Sequence, residues 1–198
     1  PMPPAAELSY GAILSRPVFW FIGVAAFATF YAILAISYNL FLHTKDLGID
    51  ARDAAKYFVP LFIGGLVGKL LSGFVSDLFG RKRTWLIFLG LMLVGSLFLL
   101  TNSQQWLFAS VACFGLGWGG NYTLLQAITA DAFGTRSLGK VMGAITVLDA
   151  GGGAIGPWIT GMLYDSFGSY IVAFWVIAAL ITLAIVMALL VPATETKA

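Results

Sequence analysis

Two stretches of the chain, 88 residues apart, carry the same pattern. Residues 64–80 read GGLVGKLLSGFVSDLFG, and residues 152–168 read GGAIGPWITGMLYDSFG. Both fit GGxxGxxxxGxxxDxFG, so five glycines, one Asp and one Phe recur in register. Each copy lies at the end of a long apolar segment. The recurrence predicts a duplicated unit, and the segments between the copies decide how the two units are related.

Six apolar segments are each long enough to cross a bilayer, which takes about 20 residues. They are predicted at about 17–42, 54–76, 84–100, 106–130, 138–164 and 170–191. The copies end the second and fifth segments, and three crossings separate them, so they fall on opposite sides of the membrane. We therefore predict an all-α membrane protein whose six transmembrane helices form two inverted three-helix repeats.

The composition supports a membrane environment. Of the 198 residues, 60% are hydrophobic and only 10% are charged, and the mean hydropathy is +0.92. Soluble domains carry about 25% charged residues, so the lipid bilayer is the expected partner of most of this surface. A net charge of +2 without a basic stripe argues against nucleic acid. The single cysteine, Cys113, excludes an internal disulfide framework.

The distribution of Lys and Arg predicts the orientation, because cytoplasmic loops carry the excess. With the N-terminus inside, the inner side holds Arg16, Arg81, Lys82, Arg83, Arg136, Lys140 and Lys197, and the outer side holds Lys45, Arg52 and Lys56. Only Lys69 falls within the bilayer. The sequence therefore predicts both termini in the cytoplasm, with the chain in the cell (inner or plasma) membrane.

Three regions are expected. Residues 1–16, rich in Pro and Ala, are predicted to be the end of a central cytoplasmic linker, and a Pro before the first Met indicates a piece of a longer chain. Residues 17–192 form the six-helix bundle, and residues 193–198 form a cytoplasmic tail. The start lacks the basic region and short apolar core of a signal peptide.

The stretch from Gly73 to Arg83, GFVSDLFGRKR, resembles the loop signature GxxxD(R/K)xGR(R/K) of the major facilitator superfamily (MFS). The segments 156–161 and 164–170 look like that family's eleventh-to-twelfth helix region. The resemblance covers nearly the whole chain and implies the C-terminal domain of an MFS transporter, with an N-terminal six-helix half missing. Leu78 departs from the family's basic residue.

The resemblance also implies a cytoplasmic gating loop, formed by Gly73, Asp77, Gly80, Arg81 and Lys82. Asp77 ends a helix, where the macrodipole disfavours a carboxylate. It is expected to need an Arg or another helix N-terminus as its partner. Gly80 permits a tight reversal, and Gly73 is expected to let a neighbouring helix approach. The alternative is a plain turn anchored to headgroups.

Two ionisable residues lie at membrane depth. Lys69 precedes Asp77 by eight residues, about 12 Å along the helix, and Asp149 is near the middle of the fifth segment. An intramembrane charge marks a functional site by default. The two residues form a charge pair, or Lys69 holds a small carboxylate-bearing anion while Asp149 exchanges a proton. Snorkelling of Lys69 and a structural hydrogen bond from Asp149 are the alternatives.

Further candidate substrate-binding residues lie on the first and fourth segments. Trp118, Tyr122 and Gln126 recur at i, i+4 and i+8, with Asn121 beside them. Tyr31 and Tyr38 are seven apart on the first segment, next to Asn39. These two segments are equivalent in the repeats, which suits a site at the repeat interface. Interfacial aromatic rings and interhelical hydrogen bonds are the alternative reading.

Four glycines, Gly115, Gly117, Gly119 and Gly120, are expected to make the fourth segment bendable. His43, the only histidine, is expected in a solvated outer loop.

Within the superfamily, Lys69 and the segment 114–133 look most like the oxalate/formate and monocarboxylate transporters. That branch often has Arg where this chain has Lys69. Its oxalate carriers place a second basic residue on the helix that here contains Asp149. The resemblance implies secondary active transport of a small organic anion, a monocarboxylate or dicarboxylate, with symport and antiport both open. The alternatives are a carrier of sugars or drugs, or a non-transporting multi-pass membrane protein. The sequence contains no HExxH motif, Ser/His dyad or P-loop that would indicate an enzyme. No cofactor or metal ligand set is predicted.

Overall fold

The computed structural model describes residues 7–192, and every regular element in that range is helical. The α-helices are α1 (Tyr10–Leu14), α2 (Pro17–Asp46), α3 (Ala51–Ala54), α4 (Phe58–Phe79), α5 (Arg81–Leu99), α6 (Gln104–Phe133), α7 (Leu138–Phe167) and α8 (Ile171–Leu190), with a 3-10 turn at Ala55–Tyr57. The predicted all-α membrane fold is confirmed: α2, α4, α5, α6, α7 and α8 are the six long helices. In lipid, a helix satisfies its backbone hydrogen bonds within itself, which is why long apolar segments adopt it.

Five of the six long helices are long and apolar enough to cross a membrane by themselves; among residues 7–192 the exception is α6. This helix has 30 residues, so its length suffices, but it carries several glycines and polar side chains. It packs along α4 on one side and α5 on the other. Its polar composition is therefore tolerated because protein, rather than lipid, surrounds most of it.

The helices pack as two inverted repeats. One repeat consists of α2, α4 and α5, and the other of α6, α7 and α8. The central helix α6 contacts α4 and α5, α2 makes the equivalent contacts with α7 and α8, and α5 meets α8. The 88-residue offset read from the glycine pattern extends beyond it, because α2 (Pro17–Asp46) shifted by 88 covers residues 105–134, nearly the bounds of α6.

We name the two ends of the bundle by one residue each. The Arg81 end contains the start of α2, the α4–α5 and α6–α7 turns, and the end of α8; the Asp46 end contains the other turns. Gly80 and Gly168, the last glycines of the two repeat copies, both have positive φ, of 80° and 64°. They occupy the tight turns at opposite ends, as an inverted repeat requires.

Residues 7–16 pack against the bundle at the Arg81 end. The backbone N–H of Leu8 donates to the Ser137 hydroxyl at 3.0 Å, and Glu7 pairs with Lys140 at 3.1 Å. Ile13 of α1 is fully buried. The part of the predicted linker that is described is thus a short helix docked on the start of α7. The tail at 193–198, including Lys197, and residues 1–6 lie outside the described residues.

The prediction for His43 was wrong. This residue lies in the last turn of α2 and is only 2% exposed. Its ring contacts Phe174 and Tyr170 edge-on, with centroid distances of 4.9 and 5.6 Å. The sequence misleads here because α2 continues four residues beyond its apolar part, to Asp46, and α8 covers the added turn.

Candidate functional site

Lys69 lies at the midpoint of α4. It follows the first residue of the helix by 11 positions and precedes the last by 10, so about 15 Å of helix extends on either side. A hydrocarbon core is about 30 Å thick, so the ammonium leaves the helix near mid-membrane depth. Lys69 is exposed in this six-helix structure. Its neighbours on the helix, Leu66 and Leu70, are exposed apolar residues.

Two aromatic side chains of α6 hold the ammonium of Lys69. Its Nζ lies 5.7 Å from the centre of the Trp118 ring and 5.9 Å from the centre of the Tyr122 ring. Both distances are within the range of cation–π attraction, which is stronger where water is excluded. No ion pair between Lys69 and a carboxylate occurs among residues 7–192. The site therefore presents a positive charge that the described protein groups partner only through π faces.

Close packing of α4 on α6 sets this geometry. A Cβ on Gly65 would lie 3.2 Å from the Trp118 ring, and a Cβ on Gly119 would lie 1.9 Å from the carbonyl oxygen of Gly65. The two backbones are thus in direct contact one turn from Lys69. Small residues at a helix interface permit such an approach in membranes. The repeat copy that starts at Gly64 therefore positions the lysine beside the aromatic stripe.

Asp149 occupies a different place from Lys69. It is on α7, only 7% exposed, and lies in the stripe of α7 that packs on α2. No Lys69–Asp149 pair is present among the described residues. Of the two arrangements considered above, the charge pair is therefore absent from this structure. By the 88-residue offset, Asp149 stands where the first repeat has the fully buried Leu61.

Two of the predicted amides are engaged in structural hydrogen bonds. Asn121 is 1% exposed and accepts a hydrogen bond of 2.7 Å from the indole N–H of Trp85 on α5. Asn39 is 8% exposed, and its amide donates to the carbonyl oxygen of Ala35, one turn earlier in α2. Both amides are thus engaged inside the bundle.

The remaining candidates divide by exposure. Tyr38 is 70% exposed and Gln126 is exposed, and the 88-residue offset relates these two positions. Tyr31 is instead 2% exposed. Its hydroxyl is buried next to the hydroxyl of Thr160, where α2 packs on α7. Tyr31 and Tyr38 were expected to share a face, but Tyr31 is buried and Tyr38 is exposed.

The predicted gating loop is the turn between α4 and α5. Lys82 donates hydrogen bonds to the carbonyl oxygens of Leu189 and Val191, at 2.8 and 2.5 Å, and so caps the end of α8. Arg81 pairs with Asp131 near the end of α6. The loop therefore ties α5 to both α6 and α8 at the Arg81 end. The positive charge of Arg81 and Lys82 also complements the dipoles of α6 and α8, because it lies at the C-terminal ends of these two helices.

Two expectations about this loop need correction. Asp77 is exposed and forms no ion pair among residues 7–192; Arg81 is paired with Asp131 instead. Gly73 has no atom within 4 Å of where its Cβ would be, so no described helix approaches it. Sequence reasoning missed Asp131, although an acidic residue beside the helix-ending pair Phe133-Gly134 repeats the Asp-x-Phe-Gly ending of both glycine copies.

The fold and site define a multi-pass membrane protein with inverted repeats and a lysine at mid-membrane depth. The chain belongs to the Major Facilitator Superfamily, whose model matches residues 57–198.

Curated relatives of the chain carry anion-transporter names. It is 27% identical over 181 residues to the oxalate:formate antiporter of Oxalobacter formigenes, covering 83% of this chain and 43% of that protein. It is 29% identical over 166 residues to monocarboxylate transporter 12 of Xenopus laevis, covering 81% and 36%. The chain therefore spans less than half the length of these relatives.

Solved structures agree with the fold. The crystal structure of the E. coli fucose:proton symporter superimposes with a TM-score of 0.80 at 16% identity, covering 94% of this chain and 46% of that one. A POT family transporter superimposes with a TM-score of 0.79 at 21% identity, covering 91% and 39%. At these identities the likeness concerns the fold alone, and it supports the resemblance to an MFS transporter half.

Proposed function

We propose that this chain is the C-terminal six-helix half of a secondary active transporter that carries a small organic anion, with Lys69 as the group that binds the anion. The observation that carries this proposal is the Lys69 ammonium, which lies at mid-membrane depth between two aromatic rings and has no carboxylate partner among the described residues. A charge at this depth is costly unless it is paired. A carboxylate that enters as the substrate supplies the pairing.

The surroundings of Lys69 favour a small substrate with one carboxylate at this group. Trp118 and Tyr122 are the groups beside the lysine among the described residues, and Asp149 is the other ionisable residue of this part of the chain at this depth. Relatives named oxalate:formate antiporter and monocarboxylate transporter support the same chemical class. Exposed Tyr38 and Gln126 are further groups that can donate hydrogen bonds to a polar solute.

Asp149 is proposed as the group that exchanges a proton, which would couple transport to a proton gradient. A carboxyl group in a tightly packed helix interface is more easily buried in its neutral form than in its charged form. Movement of α7 against α2 would change its access to water and hence its protonation. The direction of coupling, symport or antiport, follows from which states admit the proton.

We further propose that a second six-helix half covers α4 and α7. Only 28% of the most apolar part of each of these helices is buried, against 67% for α2. Leu70 on α4 and Val147 on α7 are 72% and 73% exposed, and the inverted repeats make the two helices equivalent. Two symmetric, under-packed helices are the expected edges of a domain that rocks against a partner.

The loop at the Arg81 end is proposed to act as a cytoplasmic latch. It comprises Gly73, Asp77, Gly80, Arg81 and Lys82, and the excess of Lys and Arg at this end of the bundle supports a cytoplasmic location for it. Exposed Asp77 is available for a contact with the other half that exists in only one state. The bonds of Lys82 to the end of α8 make the loop a rigid mount for that contact.

Counterflow of labelled carboxylates in proteoliposomes with the full-length protein tests the substrate proposal. Lys69→Ala should lower uptake about ten- to hundred-fold, because a charge-assisted hydrogen bond contributes about 1.5–3 kcal/mol. Lys69→Arg should retain much of the activity, since it keeps the charge. Lys45→Ala removes an exposed lysine that also lies over an aromatic ring, that of Phe41, but at the Asp46 end, and it serves as the matched control.

Asp149→Asn should retain counterflow at equilibrium but lose uptake driven by a pH gradient. Unchanged carboxylate counterflow in Lys69→Ala would contradict the proposal. Saturable counterflow of a neutral sugar, with none of any carboxylate, would favour the alternative substrate class.

A further inference from the structure

A wholly apolar crevice lies on the face of the bundle opposite Lys69. Helices α4 and α5 meet at the Gly80 turn, yet elsewhere they touch little, although both pack along α6. Towards the Asp46 end, beside this gap, a cavity of about 540 Å³ lies between α4 and α6. Its walls include Val59, Ile63 and Val67 from α4, and Phe108, Ala112 and Leu116 from α6.

The wall of the crevice contains one polar side-chain group, the thiol of Cys113, and it is directed away from the cavity. The thiol of Cys113 donates to the carbonyl oxygen of Leu91 on α5, with the sulfur 3.4 Å from the oxygen. The crevice therefore offers an occupant no hydrogen-bonding group from the lining side chains. A cavity of this size is within the range of ligand sites, roughly 300–1,000 Å³, but it suits only hydrocarbon.

The length of the crevice matches one leaflet of a bilayer. Val59 is the second residue of α4, at the Asp46 end, and Val67 is eight residues further on. Eight residues of helix rise about 12 Å, and half of a hydrocarbon core is about 15 Å. The crevice thus begins at the membrane surface and ends close to the midplane, as one acyl chain does.

The inverted repeat supplies a comparison within the same molecule. The 88-residue offset relates Val59, Pro60 and Phe108 to Val147, Leu148 and Trp20, which line a second crevice at the Arg81 end. That second crevice measures about 370 Å³, and Tyr10 and Leu14 of α1 form part of its wall. The indole N–H of Trp20 donates to the carbonyl oxygen of Leu14 at 2.9 Å, which fixes α1 there.

Side chains of α1 therefore narrow one of two equivalent crevices, and among residues 7–192 no segment narrows the other in this way. A charged residue, Lys56, lies at the opening of the crevice between α4 and α6. Lys56 precedes Val59 by three residues, one turn, and its exposed ammonium has donors left beyond its pair with Asp53. An ammonium at the surface above an apolar slot complements a lipid phosphate above its acyl chain.

We propose that the crevice between α4 and α6 holds one acyl chain of a membrane phospholipid, with the phosphate near Lys56. The lipid takes the place that α1 takes at the opposite end, and it packs against α4 and α6 on the side of the domain away from Lys69. This role is independent of which solute the protein carries.

Spin-labelled lipid in proteoliposomes of the full-length protein tests the proposal. The probe is a phosphatidylcholine labelled on one acyl chain, and electron paramagnetic resonance counts the immobilised lipids per protein. Val67→Trp places a large ring in the crevice and should reduce that number by about one. Val94→Trp is the matched control: Val94 is 44% exposed on α5 and Val67 is 39% exposed, but Val94 does not line the crevice.

An equal loss in both variants, or none in Val67→Trp, would overturn the proposal. A second measurement uses the unaltered protein: mass spectrometry under native conditions should find one phospholipid retained after transfer to detergent. Retention of none, or equal retention by the unaltered protein and Val67→Trp, also counts against it. Destabilisation of Val67→Trp without any loss of bound lipid would instead indicate that a protein segment occupies the crevice.

Discussion

At the residue scale, the polar side chains of this bundle make two kinds of contact, within their own helix and with other helices. Most satisfy their own hydrogen bonds locally: the hydroxyl groups of Thr29, Thr129 and Thr182 donate to carbonyl oxygens one turn earlier in their helices. Such bonds need no partner on another helix, so they reveal little about function. Lys69 differs because its ammonium contacts another helix, where it lies against the rings of Trp118 and Tyr122.

Sequence reasoning selected Lys69 from its depth in the membrane, and Trp118 and Tyr122 from their helical spacing. It did not predict that the lysine contacts the two rings. It could not distinguish Asn121 from Gln126, which are both polar residues near that stripe. Asn121 turns inward to Trp85, and Gln126 turns outward. The difference depends on where α5 lies, which helical periodicity does not encode.

The aromatic cluster at the Asp46 end has a measurable consequence. Tyr170 precedes α8, is 2% exposed, and stacks on Tyr164 with 4.4 Å between ring centroids. Burial, together with the negative charge of Asp46 and of Asp165, raises the pKa of Tyr170 to about 12. The phenol is therefore neutral throughout the physiological pH range.

We predict that the absorbance difference between the native protein and Tyr170→Phe titrates near pH 12 rather than near pH 10. The raised pKa favours the neutral phenol in the folded state, so its contribution to stability is present below about pH 10 and is lost as the pH rises towards 12. Tyr10→Phe, which removes a 58% exposed tyrosine, is the control. A difference titration near pH 10 for Tyr170 would contradict the burial described here.

At the scale of helices, the glycines of α6 serve close packing. They were expected to make this helix bendable, but α6 is continuous from Gln104 to Phe133. A Cβ at Gly115 would lie 2.1 Å from the carbonyl oxygen of Leu61, and one at Gly117 would lie 2.5 Å from the backbone nitrogen of Met92. Glycine thus lets α4 and α5 contact the backbone of α6 on two sides.

Gly119→Ala should destabilise the protein by at least about 1–3 kcal/mol, the usual cost of overpacking. The added Cβ would lie 1.9 Å from the carbonyl oxygen of Gly65, and backbone cannot move aside as a flexible side chain can. Thermal unfolding of the full-length protein in detergent measures the effect. Gly90→Ala on α5 is the matched control, since nothing lies within 4 Å of its Cβ position.

For Gly90→Ala we expect an unchanged or slightly raised melting temperature, because Ala favours a helix more than Gly by about 1 kcal/mol. Equal melting temperatures for the two alanine variants would show that α4 and α6 are not in backbone contact near Gly119.

At the scale of the whole molecule, the inverted repeat makes a topological prediction. Asp77 and Asp165 are equivalent in the two glycine copies, both are exposed, and they lie at opposite ends of the bundle. In a full-length variant with Cys113→Ala, cysteines introduced at Asp77 and at Asp165 should react with a membrane-impermeant maleimide from opposite sides only.

The charge distribution predicts that Asp77→Cys reacts from the cytoplasmic side and Asp165→Cys from the outside. Labelling of both from the same side would refute the inverted arrangement. Labelling from opposite sides in the reverse order would leave the repeat intact and reverse the proposed orientation.

The sequence by itself determined the six membrane helices and their duplication. Lipid leaves the backbone only helical solutions for these apolar segments, and the glycine pattern at residues 64–80 and 152–168 fixes how the two units correspond. Both signals are local, because they depend on the residues of one segment and its copy.

Only the tertiary structure decided which side chains face the interior. It buried His43 and Tyr31, engaged Asn121, separated Asp149 from Lys69, and left the crevice between α4 and α6 open. A sequence specifies the angle of each side chain around its own helix axis. Which neighbour lies at that angle depends on the packing of all six helices together.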